Sequence, residues 1–477
     1  MRTLSSRPDD RNRGFGQVVA GFLSADGLPF ANVLSAERIE HIFARHGNLF
    51  GIGTIYSTTV VLWAFLSQVL RDGKEAACQS AVARIVSFCL LSGREVPTED
   101  TGNYCRARAK LSAPALKETC REIAWELEQQ ADPSWLWKGR HAYLVDGFTF
   151  TMPDTDENQA AYPQPSTQAE GVGFPIARAC VLLSLATACV LDMAYGPYKG
   201  KRTGETALLR ELLDSLSPQD VLVADCYYCS FLMIALLVRR GVDVCATMHA
   251  GRHVDFRRGA RLGKYDHLVT WHKPARPEWM DEETYALIPK RLTLREIRYN
   301  VIEPGKRTEK LTVVTTLTDA SVYTKEDIAQ LYGFRWNAEL DIRSIKCSLN
   351  LNHVRCQSPE MVQREVWTTF LAYNLIRTTA AAAALLHQKQ PRQISFTATC
   401  QYVLASWSAL SRESVNRLRY CEAILQQIAG CTVANRPGRI EPRVLKRRRH
   451  RYPLMQHSRK KLQEKLQNTN SKRANTL

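Results

Sequence analysis

The stretch HAYLVDGFTFTMPDT (residues 141–155) opens as an apolar run that ends on an acid, Asp146, followed at once by Gly147. A second run, VLVAD (221–225), ends the same way on Asp225. Runs of this length, apolar at every position, suit strands buried on both faces. Between and after them lie the β-like PIARACVLLSLATACVLDMAYG (175–196), a helical TALLRELLDSL (206–216), a helical SFLMIALLVRRG (230–241) and the short VDVCATM (242–248). Strands alternating with helices predict a mixed α/β layer fold, with the first part of its core over 136–248.

Working outward, residues 33–135 carry apolar positions at helical spacing, as in TVVLWAFLSQVL (59–70) and SAVARIVSFCLL (80–91), and predict an α-helical N-terminal domain. Arg106, Arg108 and Lys110 make a small basic face there, equally suited to DNA phosphates and to a solvated helix surface. Residues 1–32 are expected to be a flexible segment. Over 249–322 the rhythm breaks into Pro-, Arg- and Trp-rich sequence followed by REIRYNVI (295–302) and LTVVTTLTD (311–319), a mainly β insertion. Residues 323–390 return to the core as long helices, 391–435 form a C-terminal helical region, and 436–477 a basic tail. Eleven Lys or Arg fall between Arg436 and Lys461, including the run Lys446 to Arg449, so the tail is expected to be mobile when unbound and to clamp nucleic acid without reading sequence.

The charge agrees with such a partner. The chain of 477 residues has a formal charge of +17 and a pI near 9.3, and clustered Lys and Arg gain affinity by releasing counterions from phosphates. An apolar share of 45% provides for a real core. Fourteen scattered cysteines are too dilute for a disulfide scaffold and fit a reducing compartment. Cys226 and Cys229 have no second pair to complete a zinc site. The N-terminus lacks an apolar signal core, and the apolar runs break before the ~18 residues of a membrane span; a soluble, cytoplasmic protein is expected.

The chemistry is concentrated in YGFRWNAELDIRSIK (332–346). At 100° per residue on one continuous helix, Tyr332, Arg335, Glu339 and Lys346 fall within an arc of about 60°. Arg343 lies on the same side and Asp341 nearly opposite, so Glu339 is the acid set among donors, although a Glu four residues from an Arg is also an ordinary surface ion pair. Acids at the ends of buried strands need a partner, either a divalent metal or a neighbouring Arg. Three carboxylates and surrounding bases suit two hard cations assisting an in-line phosphoryl displacement. Asp154, Asp156 and Glu157 follow Asp146 closely, but the Pro153-Asp154 step reads as a turn, and they are taken as loop residues.

With these residues in place, the sequence resembles the DDE transposases of bacterial insertion sequences, in the branch marked by a Tyr-Arg-Glu-Lys signature. The signature is met by Tyr332, Arg335, Glu339 and Lys346, and the likeness extends to DGFTFTMPDT around Asp146 and VLVADCYY around Asp225, over roughly residues 60–390. It implies a ribonuclease H-like catalytic core with its acids on β1, β4 and a late helix, interrupted by the β insertion. It also implies metal-dependent cleavage at element ends and strand transfer into target DNA. Asp146, Asp225 and Glu339 would hold two Mg²⁺, with Mn²⁺ able to substitute. Tyr332, Arg335 and Lys346 would hold phosphates of the element end, and pairing two ends implies at least a homodimer on DNA. The branch's best-known members carry a Trp in the last insertion strand that holds a flipped base; here that stretch reads LTVVTTLTD, without one. Trp271 and Trp279 could stack on a base or be packed core aromatics. A ribonuclease H-like nuclease that cuts without joining, and a catalytically silent DNA-binding regulator, are the rival readings.

Overall fold

The computed structural model describes residues 33–91, 95–201, 203–249, 251–301, 309–406, 417–433 and 455–474. The expected flexible segment 1–32 and the Lys446–Arg449 run lie outside them. The described chain opens with helices α1 (Ala36–Arg45), α2 (Thr58–Val69), α3 (Cys78–Leu91), α4 (Thr101–Arg108) and α5 (Ala113–Gln129). Ser35, Ser57, Asp100 and Ser112 stand at the N-caps of α1, α2, α4 and α5, each accepting a backbone N–H from the first turn, which satisfies a donor the helix itself leaves orphaned. α2 is buried on nearly every side, which is why its sequence has almost no polar face.

The layered part follows as β1 (Ala142–Thr151), α6 (Asp156–Ala161), β2 (Ile176–Ser184), β3 (Val190–Pro197), α7 (Glu205–Leu212), β4 (Val221–Ala224), α8 (Phe231–Arg239) and β5 (Asp243–Thr247). The insertion supplies β6 (Ala260–Gly263), β7 (Asp266–His272), α9 (Glu282–Leu287), β8 (Arg291–Val301) and β9 (Glu309–Thr315). Then come α10 (Lys325–Gly333), α11 (Trp336–Arg343), α12 (Pro359–Leu386), α13 (Phe396–Ser406), α14 (Arg417–Gly430) and α15 (Arg459–Ala474). Thr155 caps α6, so Asp156 and Glu157 open a short helix instead of lying in a loop, while Asp154 stays outside it.

All nine strands form one mixed sheet, ordered β3-β2-β1-β4-β5-β9-β8-β7-β6. β1, β4 and β5 run parallel, and β2 pairs antiparallel with β1. The insertion is not a separate layer: β9 pairs antiparallel with β5 through Cys245, Ala246 and Thr247. The period-2 alternation of β1 divides the core. Leu144, Phe148 and Phe150 join the apolar cluster that holds α5 and α12, whereas Tyr143 and Val145 join the cluster of α7 and α8. The sheet is therefore covered on both faces, as its apolar central strands require.

By length and composition α12 could cross a membrane, which the broken apolar runs of the sequence did not suggest, yet 78% of its apolar window is buried inside the protein. It packs against α5 and α14 as the central helix of the larger core.

Candidate active site

Asp146 sits at an even position of β1, so its carboxylate faces the α12 side of the sheet. Its Oδ1 accepts the Gly147 N–H at 2.8 Å. Asp225 is the first residue beyond β4, and its Oδ1 accepts the Tyr227 N–H at 2.8 Å, a turn that ends the strand. The parallel register sets Val223 beside Leu144; two residues further along, Asp225 comes level with Asp146. Sequence positions far apart thus converge because the parallel register sets the end of β4 beside the middle of β1, which runs on to Thr151 instead of ending at Asp146 as the sequence suggested.

Glu339 arrives from α11, through Arg335. The Arg335 guanidinium lies 2.9 Å from Glu339 Oε1 and 3.8 Å from Asp146 Oδ2, bridging helix and strand. Burial pushes the Asp146 carboxyl up to about 6; the Gly147 N–H and Arg335 oppose that rise, while the Asp225 and Glu339 charges add to it. Asp146 therefore feels the charges of both other acids, with one guanidinium between it and Glu339.

The single continuous helix expected over 332–346 is corrected. The chain breaks between α10 and α11 at Phe334 and Arg335, and residues Ser344–Ser348 wind as a π turn, a form common at functional sites. Tyr332 ends up buried, its hydroxyl hydrogen-bonded with Thr247 on β5. Lys346, inside the π turn, points toward β1, its Nζ 5.8 Å from the centre of the Phe148 ring. Arg343 is exposed. Asp341 faces away from the site and is buried between Arg377 and Arg392, each bonded at 2.7 Å.

The basic face of α4 divides. Arg106 is exposed and bonds Asn103. Arg108 turns inward, with its guanidinium over the rings of Phe65 and Tyr104 and an Nη1 bond to Gln68 at 3.1 Å. Spacing alone gave no sign of this difference. Trp271 is buried and donates to Glu296, a packed aromatic, and Trp279 lies under the Arg210 guanidinium.

Two residues escaped the sequence reading. Trp336, three positions before Glu339, is 54% exposed and shares its helix face with exposed Leu340 and Arg343. The signal was available, since positions 336, 340 and 343 align on a helix. The other is Glu205, the first residue of α7, which lies against Gly147: a Cβ on that glycine would meet the Glu205 Cδ at 2.4 Å. Burial and the Asp225 charge raise the Glu205 carboxyl above its usual range. Nothing in the local sequence marks it.

The donor chemistry fits hard divalent cations, which take carboxylate oxygens. Arg335, bonded to one acid and close to another, holds the acids as an ion-pair network, and among the described residues no group of three His, Cys, Asp or Glu is gathered as a ready cation cage.

Residues 137–375 match the family described as Transposase DDE domain, a span that contains all three acids. The chain is 28% identical over 364 residues to the transposase InsG of insertion sequence element IS4 from Escherichia coli (strain K12), covering 73% of this chain and 77% of that protein. It also resembles the piggyBac transposase in a cryo-EM synaptic complex with hairpin DNA, at 11% identity and a TM-score of 0.40 over 77% of this chain and 75% of that one, a likeness too loose to fix the fold. With a family match over half its length, the chain belongs to the DDE-domain transposases and is a DNA transposase, an enzyme of metal-dependent polynucleotidyl transfer.

Proposed function

We propose that Asp146, Asp225 and Glu339 hold the divalent cations, two Mg²⁺ with Mn²⁺ able to substitute, for cutting DNA at the ends of an insertion sequence and joining those ends to target DNA. The observation that carries this is Arg335 bridging Glu339 and Asp146, with Asp225 level with Asp146 on the neighbouring strand. The strand order β3-β2-β1-β4-β5 with β2 reversed supports a ribonuclease H-like core. Bound cations lower the pKa of the attacking hydroxyl and stabilise the attacking and leaving oxygens.

The protein's own groups do the rest. Arg335 acts as the counter-ion of the acids until cations enter, then turns its planar fork to a phosphate. Arg343 and Lys346 add phosphate contacts along the same edge, and Tyr332 exchanges its bond to Thr247 for a phosphate oxygen. The α1–α5 region reads the element end, with Arg106 the exposed phosphate contact and Arg108 committed to the interior. Two ends are paired by a homodimer assembled on DNA in the bacterial cytoplasm.

The test is Mg²⁺-dependent cleavage and strand transfer on DNA carrying both ends of the element that encodes this chain. Wild type is expected to cut and join, and Asp146→Asn, Asp225→Asn and Glu339→Gln to bind DNA and do neither. Cutting without joining by wild type would identify a nuclease; binding without chemistry, a regulator; undiminished activity in the variants would remove these three acids from the mechanism.

A further inference from the structure

We propose that the ring of Tyr227 stacks on a base beside the phosphodiester being cut, and so sets the register of the cleaved strand at Asp225. The inference rests on the reading of Asp225 as one of the cation-holding acids and adds a substrate contact to it.

Tyr227 lies two residues beyond Asp225, in the turn that leads from β4 to α8. Its backbone N–H is the one that Asp225 Oδ1 accepts at 2.8 Å, so the acid and the tyrosine are fixed to each other. The turn is held further by the Cys229 N–H on the Cys226 carbonyl at 3.3 Å and by the Ser230 N–H on the Tyr228 carbonyl at 2.9 Å. Ser230 then caps α8, its side chain accepting the Met233 N–H. Beyond Tyr227 the chain turns inward: Tyr228 is 2% exposed, with its hydroxyl against Cys180 Sγ, and Cys229 and Phe231 are buried beside it. Tyr227 itself turns out. At 68% it is more exposed than any other Phe, Tyr or Trp among the described residues.

Single apolar side chains on a surface are ordinary. A flat ring held outward on a fixed turn, two residues from an acid of the centre, is a preorganised platform for a nucleobase. Every base offers a π face, so stacking on it needs no particular sequence, and a turn already fixed before binding pays less entropy to hold its ligand. A phosphodiester at the acids brings the bases on either side of it to the Asp225 turn. Holding one of them fixes which phosphorus stands in line for attack, the kind of positioning on which cleavage rate depends steeply.

The test uses the full chain, Mg²⁺ and DNA carrying the ends of the element that encodes it, with melting temperature as a control for folding. Cleavage is followed at enzyme concentrations below saturation, where the rate reports binding and register together. Tyr227→Ala is expected to cut about tenfold more slowly, and Tyr227→Phe, which keeps the ring, at close to the wild-type rate. Substrates lacking a single base, moved one position at a time across the cut, then locate the contact. At one position the wild type should lose about the same factor while Tyr227→Ala loses nothing further, because both changes remove one interaction. Wild-type cutting by Tyr227→Ala, slow cutting by Tyr227→Phe, or independent losses at every position would overturn the role of Tyr227 while Asp225→Asn stays inactive. Cutting by Asp225→Asn at the wild-type rate would overturn the acid centre itself.

Discussion

Arg377, on the central helix α12, donates from Nη2 to Oδ1 of Asp341 at 2.7 Å, and both side chains are almost wholly buried. Arg392 holds the other oxygen at the same distance. The pair fixes the roll of α11: with Asp341 tied to the core, Glu339 is turned toward β1. Asp341→Asn leaves two buried guanidiniums without a charged partner and is expected to cost about 3 kcal/mol or more, read as a lower midpoint in urea. Strand cleavage should fall with it, and unchanged stability would show that the helix is held by other contacts.

Arg335 and a cation compete for the same carboxylates. Arg335→Ala is expected to raise Mn²⁺ affinity of the DNA-free protein by roughly fivefold, equivalent to about 1 kcal/mol for a half-exposed charged bond, while reducing strand cleavage. The two readouts should move in opposite directions. Loss of both would make Arg335 a structural brace instead of a counter-ion.

Trp336 presents its ring to solvent one turn before Glu339. Removing an exposed ring alters stability by no more than about 0.5 kcal/mol, whereas a ring that stacks on a base contributes about 1–3 kcal/mol. Trp336→Ala should therefore melt like wild type and bind element-end DNA roughly tenfold more weakly. Equal affinity would exclude stacking.

Asp220 precedes β4 and is 7% exposed. Burial raises its carboxyl from 3.8 to about 6; the Ser217 N–H, His141 and Arg140 oppose the rise, and Glu128 adds to it. A raised pKa means the folded state holds the proton more tightly. Its stabilising effect is thus complete below the unfolded value of 3.8 and is lost as pH climbs through about 6. Two units correspond to ~3 kcal/mol as an order of magnitude. Asp220→Asn should be more stable than wild type at about pH 8 and equal to it near pH 4. A constant difference across that range would remove Asp220 from the acid response.

Much of the architecture was legible because burial on both faces makes a strand apolar at every position. That rule picked out YLVD and VLVAD and set Asp225 at the end of its strand, but Asp146, expected at a strand end as well, lies within β1, which runs on to Thr151. The opposite facing of Glu339 and Asp341 followed from 100° per residue, and the structure adds what Asp341 faces. The π turn after Arg343 was not legible, having no Gly or Pro, and the break at Phe334 was not read although Gly333 stands just before it, because one Gly inside a helical pattern does not by itself mark an end. Neither was the inward turn of Arg108, which the aromatic rings of Phe65 and Tyr104 decide. The packing of Glu205 was hidden for another reason: it meets Gly147 through space, 58 residues away along the chain.

The pairing of β5 with β9 joins Cys245 to Thr315 across the whole insertion, and this governs when activity can appear during synthesis. Contacts between distant residues form late, because a long loop must close before any reward is gained. Glu339 lies beyond that loop. A chain still on the ribosome with its insertion half made has neither the completed sheet nor Glu339, the third acid of the proposed centre. The proposed centre can therefore be complete only once synthesis has passed the insertion and the helix that follows it.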